Sequence, residues 1–435
     1  MMAKTFRPWD VEQRWLLPPS VNELVPEDHL AHFVRDTFRG ELDLSTIMSE
    51  YAEERGFPPF HPVMMSALLL YSYCQGVYSS RRIAKACVER VDFMAVTGRS
   101  QPDFRTIAKF RKRHLGALAA LFQQVLKLCQ RAGMVQLGHV ALDGTKIKAN
   151  ASKRKAMSYG RMKDAEPRLA VEVQGWFDQA DALDSEDDRK HGAERSGDEL
   201  PNWVVNKEQR RQRIQAAMAQ LEAEARAPED DPVPPRGGSP SMSQTSSSDA
   251  KPADKAQVNF TDPQSKIMKT GDGFIQAYNC QAAVDGEAQI IIACEVVPKQ
   301  NDNDQLVPML DHIRRNVGRN PAELSADNGY FSEANLRVLH RRRIRGYIAV
   351  GKERTKRSRR RAPARGPLAI AMRRRIDRAG FRSRYRLRKQ IVEPVFGQIK
   401  AARQHTRFAL RGLSSVRGEW ALLCTAHNLL KLARR

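Results

Sequence analysis

The sequence has no CxxC pair and no cluster of histidines. Its six cysteines (Cys74, Cys87, Cys129, Cys280, Cys294 and Cys424) are scattered along 435 residues. That spacing excludes a zinc ribbon and a disulfide framework and suits a reducing cytosol. No apolar run is long enough to cross a bilayer. The longest, near residues 63–70, falls far short of the roughly 20 residues a spanning helix requires. The first residues, MMAKTFRPWDVEQRW, put charge and proline where a secretory signal needs an apolar core, so the expectation is a cytoplasmic protein with no membrane partner. Acid is also short: 50 Asp+Glu stand against 73 Lys+Arg, a net charge of +23. With 41% hydrophobic residues the chain is globular rather than disordered. The excess of positive charge therefore points to a polyanionic partner, most simply nucleic acid, over the bland alternative of an ordinary solvated basic surface.

Taken in order, residues 1–25 read as an arm, in which Phe6, Trp9, Trp15, Leu16 and Leu17 are broken up by Pro8, Pro18 and Pro19. Residues 26–135 turn helical. Pro26, Glu27 and Asp28 open one helix with acid at its positive end, and His61–Pro62 opens a second over 63–74, apolar nearly all round. Ser79–Ser80 caps a helix over 81–91, Asp103 begins another over 104–114, and a longer one runs to Arg131. Two of these are basic: Arg81, Arg82, Lys85 and Arg90 on one, Arg105, Lys109, Arg111, Lys112 and Arg113 on the other. The pair resembles a helix-turn-helix reader, with Arg81, Arg82, Arg105 and Lys109 as DNA contacts; a basic bundle that grips phosphates without reading bases is the alternative, because the 92–101 connection is longer than a tight turn.

Residues 136–150 read as a strand. They are short, β-prone and apolar, with Asp143 in the middle and Gly144 directly after it. A mid-strand acid is costly unless a cation or a neighbouring lysine such as Lys146 or Lys148 compensates it. Residues 151–256 interrupt the pattern with mixed charge, one helix over 206–226 and a Pro/Ser/Gly-rich stretch over 228–254. They read as an insertion, partly disordered. From 257 to 435 the chain becomes mixed: strands over 274–284 and 289–297 around the turn Asp285–Gly286–Glu287, a helix over 303–317, a short strand ending at Asp327, a helix capped by Ser332, and a strand over 345–350. A basic stretch over 351–366 includes Arg357, Arg359 and Arg360, a flexible loop that doubles as a phosphate clamp. Helices over 368–379, 382–402 and 414–432 close the chain. The fold class is α/β: a mixed sheet flanked by helices, preceded by an all-α region.

If the strands bearing Asp143 and Asp327 are neighbours, their carboxylates face each other. All-oxygen ligands with no His or Cys beside them suit Mg²⁺, with Mn²⁺ as the alternative. Glu393, on a helix over the sheet, supplies the third acid of a two-metal site for phosphodiester chemistry. Asp285, Asp302 and Asp304 compete, but the first reads as a turn residue and the other two as the acidic start of a helix.

Three segments carry a resemblance: Leu142–Asp143–Gly144–Thr145–Lys146, Ser325–Ala326–Asp327–Asn328–Gly329–Tyr330, and Val392–Glu393–Pro394–Val395–Phe396–Gly397. In that order they resemble the acidic motifs of bacterial insertion-sequence transposases of the DDE class, and the helical region resembles the DNA-binding domain of those proteins. The resemblance implies an RNase H-like core and Asp143, Asp327 and Glu393 as catalytic metal ligands. It also implies double-stranded terminal-repeat and target DNA as partners, a homodimer or higher assembly on DNA, and a place in the cytoplasm at the nucleoid. One subgroup carries Tyr, two residues, Arg, three residues, Glu, six residues, Lys. Here Lys400 keeps its place and is expected at DNA; Arg386 and Lys389 hold the Tyr and Arg places, and Tyr385 is one residue out. Lys389 is the expected DNA contact in place of the arginine, without its bidentate fork. Pro394 suggests a helix start or kink at Glu393. The competing functions are an RNase H-like nuclease that cuts without joining and a DNA-binding regulator with an inactive site.

Overall fold

A computed structural model describes residues 20–51, 58–191, 202–226, 251–271, 273–350, 366–379 and 384–435, without the side chains of 176–191 and 202–204. Arg357, Arg359 and Arg360, the arm up to residue 19 and residues 228–250 lie outside that description. None of the described helices is long and apolar enough to cross a membrane.

Among the described residues seven helices come first: α1 (Leu30–Gly40), α2 (Ser45–Met48), α3 (Pro62–Cys74), α4 (Ser80–Glu89), α5 (Val91–Thr97), α6 (Phe104–Arg113) and α7 (Leu115–Arg131). The mostly apolar α3 is buried along nearly its whole length, as its composition dictates. The first helix starts later than Pro26–Glu27–Asp28 suggest. Its cap is His29, whose Nδ1 accepts the Ala31 N–H, and its first turn holds no acid. The α4–α6 connection is not a turn, since α5 fills it, ended by Gly98 at φ +58°. Asp103 caps α6 as expected, accepting from the Arg105 and Thr106 N–H groups.

The strands are β1 (His139–Lys148), β2 (Ala156–Ser158), β3 (Gln257–Asn259), β4 (Lys266–Thr270), β5 (Gly273–Asp285), β6 (Ile291–Val297), β7 (Glu323–Ala326) and β8 (Arg345–Ile348). The main sheet runs β4–β5–β1–β7–β8, with β6 sharing an edge of β5 with β4. Pairings with β5 are antiparallel; β1–β7 and β7–β8 are parallel. Two parallel strands added beside an antiparallel meander give the RNase H-like mixed sheet that was expected. Asp285 accepts the Leu137 and Glu287 N–H groups and so is the turn residue it reads as.

Further helices are α8 (Tyr159–His191), α9 (Asn202–Arg226), α10 (Leu306–Val317), α11 (Glu333–Arg341), α12 (Pro367–Ala379), α13 (Leu387–Gly397) and α14 (Leu413–Leu432). The 33-residue α8 has no counterpart in the sequence reading. It pairs with α9 through Tyr159–Glu222, Glu166–Arg211 and Glu172–Lys207, and the two enclose a small core of Met162, Leu169, Ile214 and Leu221. That partner face is the physical reason a low-moment sequence holds a helix. The pair β2–β3 closes its base.

The N-terminal helices and the sheet share one continuous apolar core, joined by α14. On α14, Trp420 Nε1 donates to the Gln281 carbonyl, Asn428 pairs with both backbone groups of Ile291, and Cys74 Sγ from α3 meets the Ala426 carbonyl. Gly76, at φ +70°, lets its loop press against the Arg403 carbonyl, where an added Cβ would stand 3.0 Å away.

Candidate active site

The register decides what meets at the sheet's centre. Val140 pairs with Leu324, Ala141 with Ser325 and Leu142 with Ala326, so Asp143 and Asp327 are the next residues on two adjacent parallel strands. Strands so paired run about 4.8 Å apart. At that point β7 ends, and Asp327 turns into a short helix by accepting the Gly329 N–H at 2.8 Å.

Across the other edge of β1, Gln281 stands opposite Gly144 and Asn279 opposite Lys146, while Ala282 and Cys280 stand opposite Asp143 and Thr145. Side chains alternate between faces along a strand. Asp143 and Thr145 therefore point toward α13, and Gly144 toward the two buried amides. From α13, Arg388 donates through Nη1 to Asp143 Oδ2, and its Nη2 lies 3.6 Å from Glu393 Oε1. Glu393 is half exposed, whereas Arg388 and Asp143 are largely buried. Lys400, in the π-helical turn Gln398–Ala402, donates to Thr145 Oγ1 at 3.0 Å and to the Lys146 carbonyl at 3.3 Å. It ties the end of α13 to β1.

Burial first, and the negative charges of Asp327 and Asp302 after it, push the Asp143 carboxyl up to about 7 against the pull of Arg388. Burial also raises Asp302, opposed by hydrogen bonds from Asn279 and Gln281. Tyr330 donates to Gln281 Oε1; burial and the nearby Asp302, Asp143 and Asp327 hold its hydroxyl protonated.

Several expectations need correction. Asp302 does stand at a helix start, as it reads, but its side chain makes no capping hydrogen bond and lies near Asp327. Asp304 pairs with Lys299 at the surface, as a helix-start acid does. Lys389 is exposed on α13, as a DNA contact must be, and the arginine that meets Asp143 is Arg388. The Tyr–two residues–Arg spacing is intact as Tyr385 and Arg388, with four residues rather than three before Glu393. Pro394 neither starts nor ends the helix. Without its N–H the Gln390 carbonyl is left free, and Gln289 Nε2 donates to it at 3.0 Å. Lys400 is half-buried, with its ammonium hydrogen-bonded to β1. Arg111, counted with the basic face of α6, is buried and donates to the Tyr78 carbonyl and Ser80 Oγ. Arg81, Arg82, Arg105 and Lys109 are exposed, and Arg81 and Arg105 flank the Phe104 ring at 5.2 and 5.6 Å.

Four carboxylates with no His or Cys among them form a donor set for a hard divalent cation. Among the described residues no three such groups stand close enough to hold an ion as they are. The Arg388 guanidinium lies between Asp143 and Glu393 and supplies the positive charge there. In donor chemistry these residues fit such a cation, and Arg388 occupies the space between Asp143 and Glu393.

A family model described as Transposase DDE domain matches residues 242–429, and one described as Transposase domain (DUF772) matches residues 19–113. The first takes in Asp327, Glu393 and Asp302, and the sheet pairing adds Asp143. No curated protein and no solved structure matches the chain. Both transposase models, in the order helical region then mixed sheet, make this chain a member of the insertion-sequence DDE transposases, enzymes that act on DNA and use divalent metal ions.

Proposed function

We propose that this protein binds the terminal DNA of its element, cleaves it at Asp143, Asp327 and Glu393, and joins the freed ends to target DNA. The observation that carries the reading is the Leu142–Ala326 pairing, which leaves Asp143 and Asp327 side by side with Arg388 reaching from Asp143 to Glu393. Asp143, Asp327 and Glu393 would hold the cations, Mg²⁺ or in its place Mn²⁺. Bound there, such ions stabilise the attacking and leaving oxygens of a phosphodiester. Arg388, freed from Asp143, offers its planar fork to a phosphate. Lys400 keeps β1 and α13 in register while this exchange happens. The exposed cations of α4 and α6, Arg81, Arg82, Arg105 and Lys109, grip the duplex, as a chain of net charge +23 favours.

The test is incubation of the purified protein with a duplex carrying the element's terminal sequence, a supercoiled target and Mg²⁺. Joined products are expected. Nicks alone would indicate a nuclease, and binding alone a regulator with an inactive site.

A further inference from the structure

Asp302 lies outside the three acidic motifs, and its position suits neither a surface acid nor a cap. It stands at the start of the short helix Asn303–Gln305, yet its side chain accepts no capping hydrogen bond. Instead Oδ1 accepts from Asn279 Nδ2 at 2.6 Å and from Gln281 Nε2 at 2.7 Å, both buried amides on β5. Gln281 is itself fixed by Tyr330, and Asn279 also donates to the Lys299 carbonyl. Oδ2 accepts nothing among the described residues.

Two glycines leave the space this carboxylate uses. A Cβ on Gly144 would stand 2.8 Å from Asp302 Oδ1 and 2.6 Å from Gln281 Nε2. A Cβ on Gly329 would stand 3.1 Å from Asp302 Oδ2 and 2.9 Å from Asp327 Oδ1. Those two oxygens therefore lie at most about 6 Å apart, and one cation bonded at about 2.1 Å to each would need them about 4 Å apart. Burying an acid beside a second acid, with amides pinning only one oxygen, is unfavourable unless a cation completes it.

We propose that Asp302 is a fourth carboxylate of the divalent-cation site, oriented by Asn279 and Gln281 so that its free oxygen shares a cation with Asp327. The inference rests on the metal-dependent reading above. Lys146, whose charge acts on Asp302, donates to the Lys269 carbonyl and forms no ion pair with Asp302 among the described residues.

Asp302→Asn tests it, because the amide keeps an oxygen for Asn279 and Gln281 while removing the charge. Mn²⁺ binding to the full chain without DNA is followed by the loss of the free-ion electron paramagnetic resonance signal, alongside melting with and without Mg²⁺. Asp302→Asn should weaken Mn²⁺ about tenfold, as loss of a metal-site partner does. It should also raise the metal-free melting temperature, by relieving repulsion from Asp327, and shrink the rise produced by Mg²⁺. A residue with a merely structural role would lower the metal-free melting temperature instead. Unchanged Mn²⁺ affinity in Asp302→Asn, with affinity lost in Asp143→Asn, overturns this proposal alone. Unchanged affinity in Asp143→Asn overturns the metal-site reading and this inference with it. If Asp302→Asn does not fold, Asn279→Ser, which frees the carboxylate from one amide, carries the same comparison: weaker Mn²⁺ binding supports the proposal and wild-type binding contradicts it.

Discussion

Arg388 donates a hydrogen bond to Asp143 with both side chains largely buried, so in the absence of a metal the mid-strand acid has an internal counter-ion. Removing one partner of such a pair leaves the other uncompensated. Arg388→Met should lower the stability of the metal-free protein by about 2 kcal/mol. That is less than the full cost of a broken buried pair, because an Asp143 carboxyl already pushed up to about 7 can take up a proton. Millimolar Mg²⁺ should restore part of the loss. Urea unfolding with and without Mg²⁺ checks this, and equal losses in both conditions would mean that Arg388 and a cation do not exchange.

Two buried histidines make stability depend on acid. Burial, then the charge of Arg403, pushes His405 down to about 4 and His427 down to about 3. Both are neutral in the folded protein, whereas an unfolded histidine takes up its proton near pH 6.5. Their contribution is therefore complete above pH 6.5 and is lost as pH falls toward 4 for His405 and toward 3 for His427, at about 1.4 kcal/mol per pH unit for each. Glu419, raised by burial, works in the opposite sense. Urea unfolding at pH 7.5, 6 and 5 should show the decline, and His427→Gln should flatten it. The same slope in the variant would assign the decline to other groups.

Reading and gripping can be separated in the helical region. Arg105 and Lys109 are exposed one turn apart on α6, whereas Arg111 on the same helix is committed to Tyr78 and Ser80. Arg105→Ala with Lys109→Ala should leave folding intact. If α6 reads bases, that pair of changes should weaken binding to terminal DNA by about 1–3 kcal/mol per base contact while sparing random DNA. Arg111→Ala should instead cost about 2 kcal/mol of stability by leaving buried groups unpaired. Titration of both DNAs at two salt concentrations, with a urea melt of each variant, gives all three outcomes. Equal losses on the two DNAs would make α6 a phosphate contact.

The strands at Asp143 and Asp327 were legible because a short, β-prone apolar run carrying an acid near a glycine is a local signal. Their adjacency was not, since it depends on pairing residues about 180 positions apart. Asp302 was legible as a helix-start residue, but its side-chain partners were not, because only the fold brings Asn279 and Gln281 to it. Arg388 was missed by counting back from Glu393 at a fixed spacing, although Tyr385 three residues before it already carried the signal. Pro394 read as a helix start or kink because its missing N–H is local, while the donor that compensates for it, Gln289, lies about 100 residues away. α8 was invisible because its stability comes from α9 rather than from its own periodicity.

The most direct measurement is cleavage of end-labelled terminal DNA in Mg²⁺ by Asp143→Asn, Asp327→Asn and Glu393→Gln, with binding of the same DNA measured in parallel. Metal ligands stabilise the transition state, while affinity comes mostly from Lys and Arg on phosphates. Each variant should lose at least about 10³-fold in cleavage, the scale of losing a main electrostatic stabiliser, and bind within about twofold of the unaltered protein. Cleavage at the normal rate by any one of the three would remove that residue from the site, and normal cleavage by Asp143→Asn would contradict the account at its centre.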